Sequence, residues 1–434
     1  MRKRILSAAL ALALSLPIVL ISKVNAATLS KRLSGENRYE TGSKITIEGW
    51  TTSEYAVIAS GEGFADALCA APLAKKYNAP ILLTGKSTLD SNAKNQLQRL
   101  SVKNVFIIGG SGAVSDNVDS EIKDMGIQTT RIYGKDRFET SVEVAKMLGD
   151  IKEIFITNGL GFADALSIAP VAAQKGVPIL LTNKAYLPHK VKEFLLNENY
   201  EETHIIGGSG TVDNKVASEL KMVTRLGGNN RYETNAAVLT HFASDFTYDK
   251  VYVASGQNYP DALSGSVLAS LSKSPLILTG NSIDASVMSA IKSRHDKYNN
   301  VIILGGTGVV SERIANGVVN GYLTVSNPTA VKKEFEKMGF IFSSNTTAMY
   351  NKDGISIGLV DRGGFWQLAV KSWGDKEESL FFRAMSIVLG RDEAWSNLIY
   401  IDYALEMPNS VHTSPFVKAF VSNGDTLIVY VYNQ

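Results

Sequence analysis

Six arginines are the residues of this 434-residue chain whose types and spacing most directly suggest chemistry. They come as three pairs six positions apart: Arg32 and Arg38, Arg131 and Arg137, Arg225 and Arg231. A guanidinium is planar, permanently charged, and matches a carboxylate or phosphate with two parallel hydrogen bonds. The second arginine of each pair is followed by an aromatic residue, then Glu-Thr. Two readings stay open: capture of an anionic ligand, or an internal salt bridge to a nearby Glu or Asp. Glycine turns recur as well, with Gly110, Gly208 and Gly306 at the centre of Gly-Gly-Ser/Thr-Gly. Turns of this kind between a strand and a helix can present backbone N–H groups to an anion. They can equally be tight turns that need glycine. No Gly-Lys-Ser/Thr follows them, and the full Gly-x-Gly-x-x-Gly pattern is missing, so no nucleotide cofactor is expected.

The carboxylates that recur with the arginines have a structural explanation. Asn37, Asp136 and Asn230 precede Glu40, Glu139 and Glu233 by three positions, which is capping-box spacing. Asp66, Asp164 and Asp261 are placed in the first turn of a helix, where the dipole favours negative charge. The five histidines (His189, His204, His241, His295, His412) do not recur in register and lack metal-ligand spacing. Cys69 stands alone and reads as a small buried hydrophobe. Neither catalytic nor metal-binding residues are expected from these patterns.

The elements that position these groups form a repeat. Gly63-Phe64-Ala65-Asp66-Ala67-Leu68 returns as Gly161-Phe162-Ala163-Asp164-Ala165-Leu166 and as Asn258-Tyr259-Pro260-Asp261-Ala262-Leu263. Pro80-Ile81-Leu82-Leu83-Thr84 returns as Pro178-Ile179-Leu180-Leu181-Thr182 and as Pro275-Leu276-Ile277-Leu278-Thr279. Asp66 to Asp164 is 98 positions and Asp164 to Asp261 is 97, the size of a small domain. Short apolar runs alternate with helical periodicity, which predicts a parallel sheet covered on both faces: three tandem α/β units of three-layer architecture. In the second copy, helices are expected at 138–148, 162–174, 188–197 and 212–221, with strands at 153–157, 177–181 and 204–206. The copies are divided as 27–128, 129–222 and 223–321.

Residues 322–434 break the pattern. Strand-like runs at 340–343, 354–360, 365–370 and 426–432 and helix-like runs at 329–338, 377–389 and 392–403 predict an α+β domain. At the other end, Arg2-Lys3-Arg4, the apolar run Ile5–Ile21 and Val24-Asn25-Ala26 read as a signal peptide cleaved after residue 26. No second long apolar stretch follows, so no membrane span is expected in the mature chain. The formal charge of +2 becomes 40 Lys+Arg against 42 Asp+Glu once the four basic residues of that segment are removed. A near-neutral chain of this kind is a poor candidate for nucleic acid.

The blocks Arg-x-x-Gly-x-x-Arg-Tyr/Phe-Glu-Thr, Phe-Ala-Asp-Ala-Leu, Pro-Ile-Leu-Leu-Thr and Ile-Gly-Gly-Ser-Gly resemble the type 2 cell-wall-binding repeat of clostridial surface proteins. The resemblance covers about residues 30–321 in three copies. It implies a Toprim-like α/β fold, pseudo-threefold packing of the copies, and non-covalent binding of an anionic wall polysaccharide or teichoic-acid-like polymer. It also implies that Pro80–Leu83, Pro178–Leu181 and Pro275–Leu278, with the repeated arginines, line the polymer site, whereas the residues themselves read as buried strand cores with binding at their carboxyl ends. The third copy departs mildly, reading Pro-Leu-Ile-Leu and Tyr-Pro-Asp. The expectation is a secreted, non-enzymatic surface protein or adhesin of the cell wall. The alternative is a wall-anchored, carboxylate-based hydrolase with its site in 322–434.

Overall fold

A computed structural model describes residues 28–292, 294, 298, 300–320 and 336, and the strand segments between 341 and 432. The expected signal peptide lies outside the described residues, as do the helices expected at 377–389 and 392–403 and nearly all of 329–338.

The first stretch holds β1 (Thr28–Leu33), α1 (Arg38–Gly49) and β2 (Tyr55–Ser60). A 3-10 turn at Ala67–Cys69 runs into α2 (Ala70–Lys76). Then come β3 (Ile81–Thr84), α3 (Ser91–Arg99), β4 (Asn104–Ile108), α4 (Asp116–Asp124) and β5 (Gln128–Ile132). The succession returns as α5 (Arg137–Lys146), β6 (Glu153–Asn158), α6 (Ala163–Lys175), β7 (Ile179–Thr182), α7 (His189–Asn197), β8 (Glu202–Ile206), α8 (Asn214–Ala217) and β9 (Val223–Leu226). It returns again as α9 (Arg231–His241), β10 (Lys250–Ser255), α10 (Pro260–Leu271), β11 (Leu276–Thr279), α11 (Ala285–Lys292), β12 (Asn300–Leu304) and α12 (Glu312–Asn320). The second-copy elements match the periodicity within about two residues, except that the helix expected at 212–221 shrinks to α8. Beyond it Glu219 and Leu220 bond three residues back, to Val216 and Ala217, tightening the chain before β9.

The described residues form three four-stranded sheets, each wholly parallel, in the orders β3-β2-β4-β5, β7-β6-β8-β9 and β11-β10-β12-β1. The three-unit α/β reading therefore stands. The sheet unit is offset from the sequence repeat by one strand. β5, which opens the second copy, pairs with β4 of the first, and β9 pairs with β8. A boundary at 128/129 cuts into β5. β1 belongs to the third sheet. It pairs with β12, from Thr28 opposite Asn300 to Leu33 opposite Leu304, so the first described strand completes the third sheet and the chain closes into a ring.

The helices that follow the Phe-Ala-Asp blocks form the centre. α6 packs against both α2 and α10, and α2 against α10. Their sequences are apolar or small nearly all round, which suits a helix without a solvent face. Ala165, Leu166, Ile168, Ala169, Val171 and Ala172 are buried in α6, and Ala262, Leu263, Val267 and Ala269 in α10. Cys69 is buried in the same centre, and burial pushes its thiol pKa up. One buried cluster runs through all three sheets. Each fully buried Leu, Ile or Val in it contributes roughly 1.5–3 kcal/mol.

The C-terminal strands are β13 (Ile341–Phe342), β14 (Thr347–Lys352), β15 (Ile355–Asp361), β16 (Phe365–Val370), β17 (His412–Thr413), β18 (Val417–Ser422) and β19 (Thr426–Tyr432). They make one antiparallel sheet in the order β13-β14-β15-β16-β19-β18-β17. β14, β17 and β18 were not anticipated: β14 mixes polar and apolar residues, β17 is two residues long, and Lys418 shortens the apolar run of β18.

Ring closure by β1 gives a direct test. Removing residues 27–33 exposes one edge of β12 and takes away Arg32, which donates to the carbonyls of Gly305 and Val310 at 3.0 and 2.8 Å. Amide exchange should accelerate along Asn300–Leu304 while the equivalent strands β4 and β8 keep their protection. The melting temperature should fall by several degrees, as expected for a loss of about 2–4 kcal/mol. Unchanged exchange in β12 would show that β1 contributes nothing to the third sheet.

Candidate functional site

The Arg-x-x-Gly-x-x-Arg motif is explained residue by residue. Asn37, Asp136 and Asn230 are helix N-caps whose side chains accept from the backbone N–H groups of the second and third helical residues. Glu40, Glu139 and Glu233 fold back to accept from the N–H of Glu36, Lys135 and Asn229 at 2.7, 3.0 and 2.8 Å. The donor N–H is thus one residue earlier than in the standard capping box, where the N-cap's own N–H donates. Thr41, Thr140 and Thr234 accept from the N–H of Gly35, Gly134 and Gly228. A Cβ on those glycines would come within 2.1–2.4 Å of the folded-back glutamate, so the motif needs glycine there.

The second arginine of each pair then does two things. Arg137 donates to the Gly159 carbonyl at 2.7 Å and Arg231 to that of Gly256 at 2.6 Å, and Arg38 bonds the Gly61 carbonyl. Each guanidinium also stands over an aromatic ring of a different sheet unit: Arg38 over Tyr259 at 5.7 Å, Arg137 over Phe64 at 5.9 Å, Arg231 over Phe162 at 5.3 Å. The three rings meet one another, with centroids 5.5, 5.7 and 6.2 Å apart. The first arginine of each pair is spent differently. Arg131 clamps the glycine turn from the edge strand, donating to Gly109 and Val114 carbonyls at 3.1 and 2.7 Å, and lies 3.4 Å from Asp116. Arg32 pairs with Glu312 at 2.8 Å, and Arg225 bonds the Gly207 carbonyl at 3.0 Å. The internal salt-bridge reading fits Arg32 and Arg131, although their partners are distant in sequence or on the next helix.

Gly109, Gly207 and Gly305 have φ of +104°, +125° and +105°, a region that side chains disfavour. A Cβ there would lie 2.9, 2.7 and 2.5 Å from an oxygen of Asp66, Asp164 and Asp261. The aspartates are therefore tucked beneath the glycine turns. Burial pushes Asp164 and Asp261 up to about 6, against the hydrogen bonds from Thr234 and Thr211 to Asp164 and the nearby charges of Arg231 and Arg38. The expected stabilisation of the ionised form by the helix N-terminus is outweighed by desolvation.

Three related cavities open at the carboxyl ends of the strands, each between one sheet and the cap segment of the next helix in the ring. The first, about 570 Å³, is lined by Ser60, Asp66, Gly110 and the segment Gly134–Arg137. The second, about 490 Å³, is lined by Asn158, Asp164, Gly208 and Gly228–Arg231. The third, about 250 Å³, is lined by Ser255, Asp261, Gly306 and Gly35–Arg38. Open α/β sheets bind ligands at this end of their strands. The structure brings Arg38, Arg137, Arg231, Gly110, Gly208 and Gly306 to these cavities. It keeps Arg32, Arg131 and Arg225 behind the turns. Pro80–Leu83, Pro178–Leu181 and Pro275–Leu278 are buried in or just before the edge strands β3, β7 and β11, so they back the site and are not a surface of it. Leu181 and Leu278 donate their backbone N–H to Ser141 and Asn235 of the covering helices. Asp66, Asp164 and Asp261 read in the sequence as first-turn residues favoured by the helix dipole, and nothing in the sequence pointed to the ring of Phe64, Phe162 and Tyr259. Among the described residues no group of His, Cys, Asp and Glu could hold a metal ion.

The chain matches the family described as Cell wall binding domain 2 (CWB2) at residues 32–119, 131–217 and 225–315. It is 38% identical over 291 residues to the N-acetylmuramoyl-L-alanine amidase LytC of Bacillus subtilis (strain 168), covering 67% of this chain and 58% of that protein. It is 32% identical over 305 residues to the amidase enhancer of the same organism, covering 69% and 42%. Among solved structures, Cwp6 from Clostridium difficile aligns with a TM-score of 0.64 at 33% identity, covering 70% of this chain and 49% of that one. Cwp8 from Clostridium difficile aligns with 0.62 at 31%, covering 67% and 51%. The chain spans well under two thirds of each of these relatives. The expectation of a non-enzymatic protein is corrected by the amidase match, which points toward an enzyme family.

The buried aspartates make stability depend on pH. A carboxyl with a folded pKa of about 6 against a reference of 3.8 leaves the folded state the better proton binder. Its contribution is full below about pH 4 and is lost as pH rises through about 6. Urea titrations should show the Asp164→Asn, Asp261→Asn double variant gaining on the parent between pH 4 and 7. The gain is at most about 3 kcal/mol per site, at 1.36 kcal/mol per pH unit. A difference constant with pH would show that folding shifts the pKa of neither carboxyl.

Proposed function

This chain belongs to the cell wall binding domain 2 family, and from that premise we propose that it is a secreted protein held on an anionic wall polymer by its three cavities, with residues 322–434 serving wall hydrolysis. Attachment to the cell wall is the family's role. The observation that supports the finer reading is the threefold recurrence of one cavity, each with a guanidinium at its rim and a glycine turn opposite. Rigid spacing of three weak sites suits a polymer that repeats its charged group, because later contacts form at a high effective concentration. The hydrolytic part rests on the kinship to an amidase and an amidase enhancer.

Two experiments separate these parts. Walls of Bacillus subtilis should retain the full chain at low salt. Walls stripped of phosphate-containing polymer should retain much less, and salt should release the bound protein because exposed charges are screened over about 8–10 Å. Equal retention by stripped walls would refute the anionic ligand. In a peptidoglycan gel, the full chain should clear the wall itself or enhance clearing by an added amidase. Neither effect would refute the hydrolytic role while leaving attachment intact.

A further inference from the structure

The three cavities share a frame but not a rim. The residue before each N-cap is held by the same bond, its N–H to the folded-back glutamate, in all three copies. That residue is Lys135 in the first cavity, Asn229 in the second and Glu36 in the third, and each lines its cavity. One backbone position, fixed three times by one hydrogen bond, thus carries a positive, a neutral and a negative side chain. All three residues are exposed, so folding does not dictate the choice.

The rest of each rim follows suit. The first cavity adds Lys86 and Glu62. The second has Leu160, 58% exposed, at the position of Glu62, together with Phe64 and Phe162. The third is the smallest, and Arg38 there also donates to the Tyr259 hydroxyl at 3.1 Å.

We propose that this position determines specificity and that the three sites divide the work: the first cavity takes the anionic group, the second an uncharged sugar ring, and the third disfavours an anion. This rests on the wall-binding reading and deepens it. In the first cavity Lys135 and Lys86 join Arg137, three cations beside Glu62, Asp66 and Asp136, against the single cation Arg38 beside Glu36 and Asp261 in the third. The second rim offers an exposed leucine, aromatic edges and the amide oxygen of Asn229, whose NH2 is held by Glu233 at 3.0 Å, which is chemistry for the apolar face and hydroxyls of a sugar. In the third, Glu36 opposes the charge of Arg38.

Charge exchange at the one position tests it on the full chain, with Bacillus subtilis walls as the probe. At low salt, Lys135→Glu should weaken retention about three- to tenfold, the scale of one partly screened charge contact. Glu36→Lys should strengthen it by a similar factor, a gain that misfolding cannot produce. Leu160→Ala should weaken retention equally at low and high salt. Glu201→Lys, an exposed site in the strand-leading turn before β8, controls for net charge and should change retention less than twofold. Equal effects of Glu36→Lys and Glu201→Lys, or no loss with Lys135→Glu, would overturn the assignment. A parent chain that does not bind walls would be seen before any variant is made and would refute the wall-binding reading itself.

Discussion

Each cap arginine stands over the aromatic ring of a neighbouring sheet unit, and these three contacts close the ring around the buried helices α2, α6 and α10 that hold the repeats together. Arg137 joins the second unit to the first, Arg231 the third to the second, and Arg38 the first to the third. Each pair is worth about 0.5–2 kcal/mol. The value is in the closure more than the sum, since each ring also touches the other two. The same guanidinium bonds a glycine carbonyl of its own unit, so its position is set from both sides. An arginine held in this way keeps the remainder of its fork near the cavity without the entropy that a free side chain loses on binding.

Beneath that contact two electrostatic effects compete at each aspartate. A helix N-terminus favours the carboxylate by about 0.3–1 kcal/mol. Removal from water opposes it. At Asp164 and Asp261 removal from water wins, and the carboxyls are held near 6. The reason is local geometry. A glycine with positive φ has no Cβ, so the turn closes down over the acid and shields it. The glycine and the aspartate are one device, and a side chain on either Gly207 or Gly305 would collide with the carboxyl it now covers.

Much of this was legible in the sequence because the repeat triples every signal. Alternating short apolar runs and helices specified parallel three-layer units, and the N-caps at Asn37, Asp136 and Asn230 were readable from Asx and Glu three apart. The illegible parts share one physical cause: they depend on partners far apart in the chain. The pairing of β1 with β12 joins residues about 270 positions apart. The strand arginines and cap arginines look alike in sequence, yet one set is spent on turn carbonyls and the other faces the cavities. Pro80–Leu83 and its counterparts, by contrast, were legible as buried strand cores, since a run apolar at every position is what a strand buried on both faces requires. Residues 322–434 have no repeat to average over, and polar strands such as Thr347–Lys352 gave no periodic signal.

A ring of three also frees the sequence to vary where a single domain could not. Each cavity is built from two units, so its frame is held by the strands of one and the cap of the next. The folded-back glutamate bonds the backbone of the residue before the N-cap, and of the three side chains at that position it holds that of Asn229, at 3.0 Å. Lysine, asparagine and glutamate are all compatible with the fold at that rim. Duplicated units can then keep the residues that maintain the ring while the rim side chains diverge, and a repeated scaffold can present three chemically different faces to one polymer at fixed separation. Flexible tethers would lose this, because independent units could not hold a defined order of sites along a chain of sugars.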